Sequence, residues 1–230
     1  NLVSSTGVVA TDVTGVGTAR AVLAACEYGD DTGIYGFGQT PSAGVAMTNL
    51  VSNLGVVATD TAAVAGASTR KGPAGCSYGA DKGIMGFGND GDFTASTNLV
   101  SNAGVIASDT AGVGTARGET PGACEYGGDK GIVGYGFDSS PSPYCTAVSN
   151  KISNGGVVAS DTAAVGTPRY ALAACSYGED KGIFGFGLTH PGTYTAITNL
   201  VSNAGVVATD TAGVGTARSY VSATQYGADT

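Results

Sequence analysis

The side chains able to do chemistry in this chain are few, and most of them recur at a fixed spacing. Its 230 residues hold one His, five Cys, 10 Lys and Arg, and 18 Asp and Glu. One aspartate position recurs as Asp12, Asp60, Asp109, Asp161 and Asp210, and one arginine position as Arg20, Arg70, Arg117, Arg169 and Arg218. A guanidinium can fork across a carboxylate or two carbonyls. Each Asp and the Arg about eight residues after it therefore read as a staple across the connection between units, with a ring of anion-binding arginines as the alternative. A second aspartate recurs as Asp31, Asp81, Asp129, Asp180 and Asp229, mostly before Lys-Gly, and reads as a hairpin tip with a side chain bonded to backbone. A calcium site needs more oxygen ligands than one such turn supplies.

Four of the cysteines, Cys26, Cys76, Cys124 and Cys175, share one repeat position. Equivalent places on a ring are too far apart for a disulfide, so these read as small, reduced core residues. They do not form paired Cys-x-x-Cys ligands, and with one His the expectation is no metal and no cofactor. A tyrosine recurs at positions 28, 78, 126, 177 and 226 and reads as core packing with its hydroxyl turned to a neighbouring unit.

Residues that repeat cannot by themselves build an asymmetric site, so binding chemistry is expected where the copies differ. The differing segments, 39–47, 89–96, 138–147 and 188–197, carry Asp90, Asp92, Phe93, Tyr144, His190 and Tyr194. These six are the candidate ligand-binding residues, expected on loops at one face. Catalytic readings are weaker. Asp90 and Asp92 are a close pair, but the further carboxylate of a glycosidase at a channel mouth would have to come from Glu119, Asp138, Glu27, Glu125, Asp30 or Glu179, with no visible apolar pocket to raise its pKa. His190 stands before Pro191 with no acid beside it in sequence, and no phosphate-cradling loop is present. The expectation is a chain with no catalytic residues.

The elements that position these residues repeat as well. Asn-Leu-Val-Ser starts at Asn1, Asn49, Asn98 and Asn199, with Asn150-Lys151-Ile152-Ser153 as a variant. Each roughly 49-residue unit must bury its apolar side against its neighbours. In the first full unit four β-like runs stand out, 22–28, 33–37, 47–52 and 55–59, separated by Gly- and Pro-containing turns. The 39 glycines, against a usual share of roughly 7%, exclude a helical bundle. Four strands per unit is the arithmetic of a β-propeller blade. The reading is all-β: one domain over 1–230, a propeller of about five four-stranded blades, the fifth lacking its Gly-Ile-x-Gly-Phe-Gly strand. That gap favours a piece of a longer repeat array.

In order and type the unit resembles the kelch repeat, through Thr-Ala-Arg before small apolar residues, Asp-Lys-Gly-Ile-x-Gly-Phe-Gly, and the variable loop that follows. It departs where kelch units carry adjacent glycines and this chain has Gly36-Phe37-Gly38, and where they carry a Trp and this chain has none. The resemblance implies a propeller fold, similar in size to the five-bladed lectins.

A net charge of −8 argues against nucleic acid and anionic lipid as partners, and no apolar run is long enough for a membrane-spanning helix. The function expected is a non-catalytic binding module that recognises a glycan or a protein partner through the variable loops, with oligomers allowed. An extracellular or virion surface is favoured over the cytoplasm. The alternatives are a docking scaffold of a phage or surface assembly and, behind it, a glycoside hydrolase-like enzyme.

Overall fold

The computed structural model describes residues 1–4, 6–62, 65–139 and 144–225. Pro143, Tyr226 and Asp229 lie outside the described residues. The strands are β1 (Ala24–Tyr28), β2 (Thr32–Gly36), β3 (Thr48–Val51), β4 (Ala74–Tyr78), β5 (Lys82–Gly86), β6 (Thr97–Val100) and β7 (Gly122–Tyr126). They continue as β8 (Lys130–Gly134), β9 (Ser149–Ile152), β10 (Ala173–Tyr177), β11 (Lys181–Gly185), β12 (Leu188–Thr189), β13 (Thr193–Tyr194) and β14 (Thr198–Val201). The protein is all-β, and among the described residues no helix is long and apolar enough to cross a membrane.

Four three-stranded antiparallel sheets recur, β1-β2-β3, β4-β5-β6, β7-β8-β9 and β10-β11-β14, with β12-β13 as a separate short hairpin. Their registers match. Cys26 faces Ile34 and Ile34 faces Leu50; Cys76, Ile84 and Leu99 repeat that row, as do Cys175, Ile183 and Leu200. The first hairpin turns on Gly29 and Asp30, both at positive φ (59° and 70°), a backbone that Gly and Asp tolerate.

The fourth run departs from the sequence reading. Segment 55–59 is not a strand; it meets β3 through the bridge Val51 to Val57, and just beyond it Thr61 bridges Thr48. Two residues lie between the two bridges on β3 and three on the facing segment, so one extra residue bulges out and interrupts the ladder. Inside the bulge the Asn49 side chain donates to Ala58 O at 3.0 Å. The bridges recur in the other sheets, for example Val100 to Ile106 and Val201 to Val207.

The cores lie between successive sheets, as units that cannot bury an apolar face alone require. One joins Tyr28, Ile34 and Phe37 to Met85 and Val100; the next joins Cys76, Ile84 and Phe87 to Val133 and Ile152; the third joins Tyr126, Ile132 and Tyr135 to Phe184 and Val201. The recurring tyrosine reaches the following unit: a Cβ on Gly156 would lie 2.9 Å from the Tyr78 ring, and one on Gly205 would lie 2.6 Å from that of Tyr126. The hairpin tips are stitched the same way, Gly29 N–H donating to Asp81 O (2.8 Å) and Gly79 N–H to Asp129 O (2.7 Å). The tip carboxylates bond side chains, with Asn102 Nδ2 donating to Asp81 and Asn154 Nδ2 to Asp129. The Asp81 and Asp180 carboxylates also accept from backbone N–H groups within the turn, the local bond expected of such a tip.

Candidate functional site

The arginines set the geometry of the face on which the variable loops stand. Arg70, Arg117 and Arg169 are fully buried. Each stacks on the aromatic residue of the unit before it, Arg70 on Phe37 at 4.8 Å, Arg117 on Phe87 at 4.2 Å and Arg169 on Tyr135 at 4.2 Å. Each also reaches the unit after it: Arg70 donates to Asn98 Oδ1 and to Asp109 (2.7 Å), Arg117 to Asn150 (2.7 Å) and Arg169 to Asn199 (2.7 Å). The carboxylate beside each guanidinium thus belongs to the following unit, and Arg20 likewise lies 3.6 Å from Asp60. The Asp eight residues before an Arg is not its partner, because the connector carries the Arg away toward the next sheet.

That carboxylate also ties down the connector. Asp109 accepts from the Ser68 N–H (3.1 Å) and hydroxyl (2.6 Å), and Asp161 accepts from Thr115 in the same way. Burial pushes the Asp109 carboxyl up, but hydrogen bonds from Ser68 and Asn98 and the charge of Arg70 outweigh it and leave the group below its ordinary value. Burial lowers Arg117 to about 10, against the opposing charges of Asp161 and Asp138, so it stays cationic at neutral pH.

Two residues past each Arg the backbone turns left-handed, at Val22 (φ 47°), Gly72 (60°), Glu119 (54°), Ala171 (52°) and Tyr220 (52°). These turns are linked one to the next by backbone hydrogen bonds: Gly72 N–H donates to Val22 O (2.9 Å), Thr120 N–H to Gly72 O (3.2 Å), Ala171 N–H to Glu119 O (2.9 Å) and Tyr220 N–H to Ala171 O (2.9 Å). A cavity of about 530 Å³ opens there between Val22, Pro73, Thr120, Leu172 and Tyr220. Residues of β1, β4, β7 and β10, together with Gln225, line a second cavity of about 310 Å³, among them Glu27, Ser77, Glu125 and Ser176. Burial and the facing charge of Glu27 raise the Glu125 carboxyl above its ordinary value.

The variable loops fold back onto the residue that follows each Arg. Ala21 bridges Gln39, Lys71 bridges Asn89, Gly118 bridges Phe137 and Tyr170 bridges Leu188. On this deck five rings from three units meet around Phe137. Its centroid lies 5.7 Å from Phe93, 6.3 Å from Tyr144 in a stacked pair, 5.2 Å edge-on from Tyr170 and 6.2 Å from His190. Tyr144 and His190 are themselves 4.9 Å apart. Tyr144 is 40% exposed, so the cluster is open to solvent.

Of the six candidate residues, the structure brings Phe93, Tyr144 and His190 together here. Tyr194 borders the cluster electrostatically: burial chiefly raises the Tyr170 and Tyr220 hydroxyls, and the neighbouring Tyr194 and Glu119 add to the effect. Asp90 lies elsewhere, in a small cavity with Gln39, Thr69 and Lys71, and Asp92 closes the same turn through its carbonyl to Asp90 N–H (3.1 Å). Phe137 and Tyr170 were missed, and Glu119, named only as a spare carboxylate for a catalytic reading, stands here with its Oε2 accepting from the Tyr220 hydroxyl at 3.4 Å. The signal was present, because the positions next to Arg and after Gly-x-Gly read Lys71, Gly118, Tyr170 and Asn89, Phe137, Leu188 and vary as the loops do.

The cluster offers flat apolar ring faces, hydroxyls and one carboxylate. Among the described residues no group of three or more His, Cys, Asp or Glu is placed to hold a metal ion. No protein-family model matches the chain, and no curated protein matches it.

Proposed function

We propose that the chain is a non-catalytic, kelch-like β-propeller module of about five blades, whose aromatic deck binds the apolar face of a sugar ring in a surface glycan. Four sheets in matched register, each with a bridged fourth segment, and a cavity lined by their four first strands together with residues 223–225 support the ring arrangement. The observation that carries the function is the convergence of Phe93, Phe137, Tyr144, Tyr170 and His190 from three units onto one open patch. Stacked rings bury little polar surface and match the C–H face of a pyranose, while Glu119 and the tyrosine hydroxyls supply acceptors and donors for its hydroxyl rim.

A glycan array followed by calorimetry tests this reading. Tyr144→Ala is expected to weaken binding at least tenfold, the loss of one stacking ring at about 1.4 kcal/mol or more, and Val206→Ala to leave it unchanged. Silence of the wild-type chain across a broad array, or indifference to Tyr144→Ala, overturns it.

A docking scaffold is the second reading, and one feature favours it. Val56, Val105, Val157 and Val206 occupy one repeat position and are 63%, 60%, 68% and 59% exposed, a row of apolar side chains at regular spacing.

A further inference from the structure

The residue after each clasp arginine, the residue after each Gly-x-Gly and a residue on the far limb of the loop stand side by side. In bridge order the second unit reads Lys71, Asn89, Phe93, the third Gly118, Phe137, Cys145, and the fourth Tyr170, Leu188, Tyr194. Neighbouring units follow on directly: Val45 bridges Arg70, and a Cβ on Gly118 would lie 2.9 Å from the Phe93 ring. The loops therefore make one continuous face, and the aromatic deck is only part of it.

On the other side of Asn89 the chemistry is opposite. A pocket of about 300 Å³ opens there between the loops of the first two units, lined by Gln39, Ser42, Thr69, Lys71, Asn89 and Asp90. At the next two seams the places of Lys71 and Asn89 are taken by Gly118 with Phe137 and by Tyr170 with Leu188. One seam is polar where the two after it are apolar.

Two charges stand in this pocket without meeting. The other lysines are engaged: Lys82, Lys130 and Lys181 pair with the aspartate before them, and Lys151 Nζ donates to Ala204 O (2.9 Å). Among the described residues neither Lys71 Nζ nor the Asp90 carboxylate has a hydrogen bond or an ion pair. The buried Arg70 feels the Asp90 charge without bonding to it. Asn89 Oδ1 accepts from Gly91 N–H (3.1 Å) and Asp90 N–H donates to Asp92 O (3.1 Å), so the turn that presents these side chains is fixed. The Asn89 Nδ2 donors are left to a ligand.

Fixed opposite charges in one small pocket disfavour a net charge of either sign, because Asp90 repels a carboxylate and Lys71 repels an ammonium. A vicinal pair of hydroxyls suits both. One oxygen accepts from Lys71 Nζ and its neighbour donates to Asp90, each bond charge-assisted.

We propose that this pocket is a second sugar subsite for a neutral, hydroxyl-rich residue, so that the ligand of this face is an oligosaccharide lying across Asn89. Lys71 and Phe93 flank Asn89, two strand spacings or about 10 Å apart. A short oligosaccharide spans that distance with one ring on the deck and another in the pocket. The proposal rests on the glycan reading of the deck and names the class of its ligand.

The test takes the neutral unit selected on the glycan array and titrates its mono-, di-, tri- and tetrasaccharide into the full chain by calorimetry. Affinity is expected to rise about tenfold or more from the monosaccharide to the trisaccharide, the gain of joining two subsites. Lys71→Met and Asp90→Asn each abolish that gain, whereas Tyr144→Ala weakens every length. A flat length series, or a gain that survives both pocket variants, overturns the subsite and leaves the deck reading standing. An array that selects only glycans bearing a carboxylate overturns the neutral assignment. Indifference to Tyr144→Ala overturns the deck reading and this proposal with it.

Discussion

At the scale of single residues, the arginine clasp concentrates the interactions that hold one unit to the next. Arg117 lies fully buried between the Phe87 ring and Asn150, and its charge is offset by Asp161. Removing one partner of such a buried set leaves the others unpaired, which typically costs about 3 kcal/mol or more. Arg117→Met is therefore expected to lower unfolding free energy by about 3 kcal/mol in urea denaturation, whereas Arg218→Met, at an exposed clasp, stays within about 0.5 kcal/mol. A clasp of this kind was legible in the recurrent Asp and Arg, but its partner was not. Spacing along the chain favoured the Asp eight residues earlier, and only the path of the connector shows that the guanidinium crosses to the next unit. The aromatic beneath it was hidden too, since Phe37, Phe87 and Phe186 sit at left-handed φ (62°, 60° and 64°), a conformation that the sequence would assign to glycine.

At the scale of strands, the packing of thiol against glycine explains why both residues recur together. Gly83→Ala forces a methyl onto Cys26 Sγ, and overpacking of this kind costs about 2 kcal/mol. Gly33→Ala meets only Val51 Cβ at 3.6 Å and is expected to cost far less. Thermal unfolding of Gly83→Ala, Cys26→Ala and the double variant checks this. The double variant should be more stable than the sum of the single losses allows, and strict additivity counts against the fitting. The first three strands of each unit were readable from alternation and turn residues to within a residue or two. The fourth was not, because the Val-Val run after Gly55 has strand composition while its ladder is broken by an extra residue. A single inserted residue changes pairing without changing propensity, so composition alone does not reveal it.

For the molecule as a whole, the cavity beside Glu125 and the deck divide the polar chemistry between them. In that cavity, burial and Glu27 raise the Glu125 carboxyl. A carboxyl whose folded pKa lies above its unfolded value binds its proton more tightly in the folded state. The associated stability is complete below the ordinary Glu range and is lost as pH rises through the folded pKa. Glu125→Gln is thus expected to raise the midpoint of thermal unfolding at pH 7 more than at pH 4, and Glu27→Gln to bring the Glu125 carbon resonance back toward an ordinary titration. The deck was half legible: loops that differ between copies pointed to Phe93, Tyr144 and His190, and folding added Phe137 and Tyr170 from positions next to invariant residues. Asp90 and Asp92 share the variable segment 89–96 with Phe93, yet the turn that carries Asp90 lines a cavity with Lys71.

The division of each clasp between successive units has a genetic consequence. Ring and thiol lie on one unit, and their receiving Asn, Asp and glycine lie on the next. A tandem duplication in the gene therefore creates a unit whose two seams are already complementary to its neighbours, and an in-frame deletion heals the same way. Each seam is preserved when a unit is gained, and the loops of the deck are left as the part of the unit that can diverge.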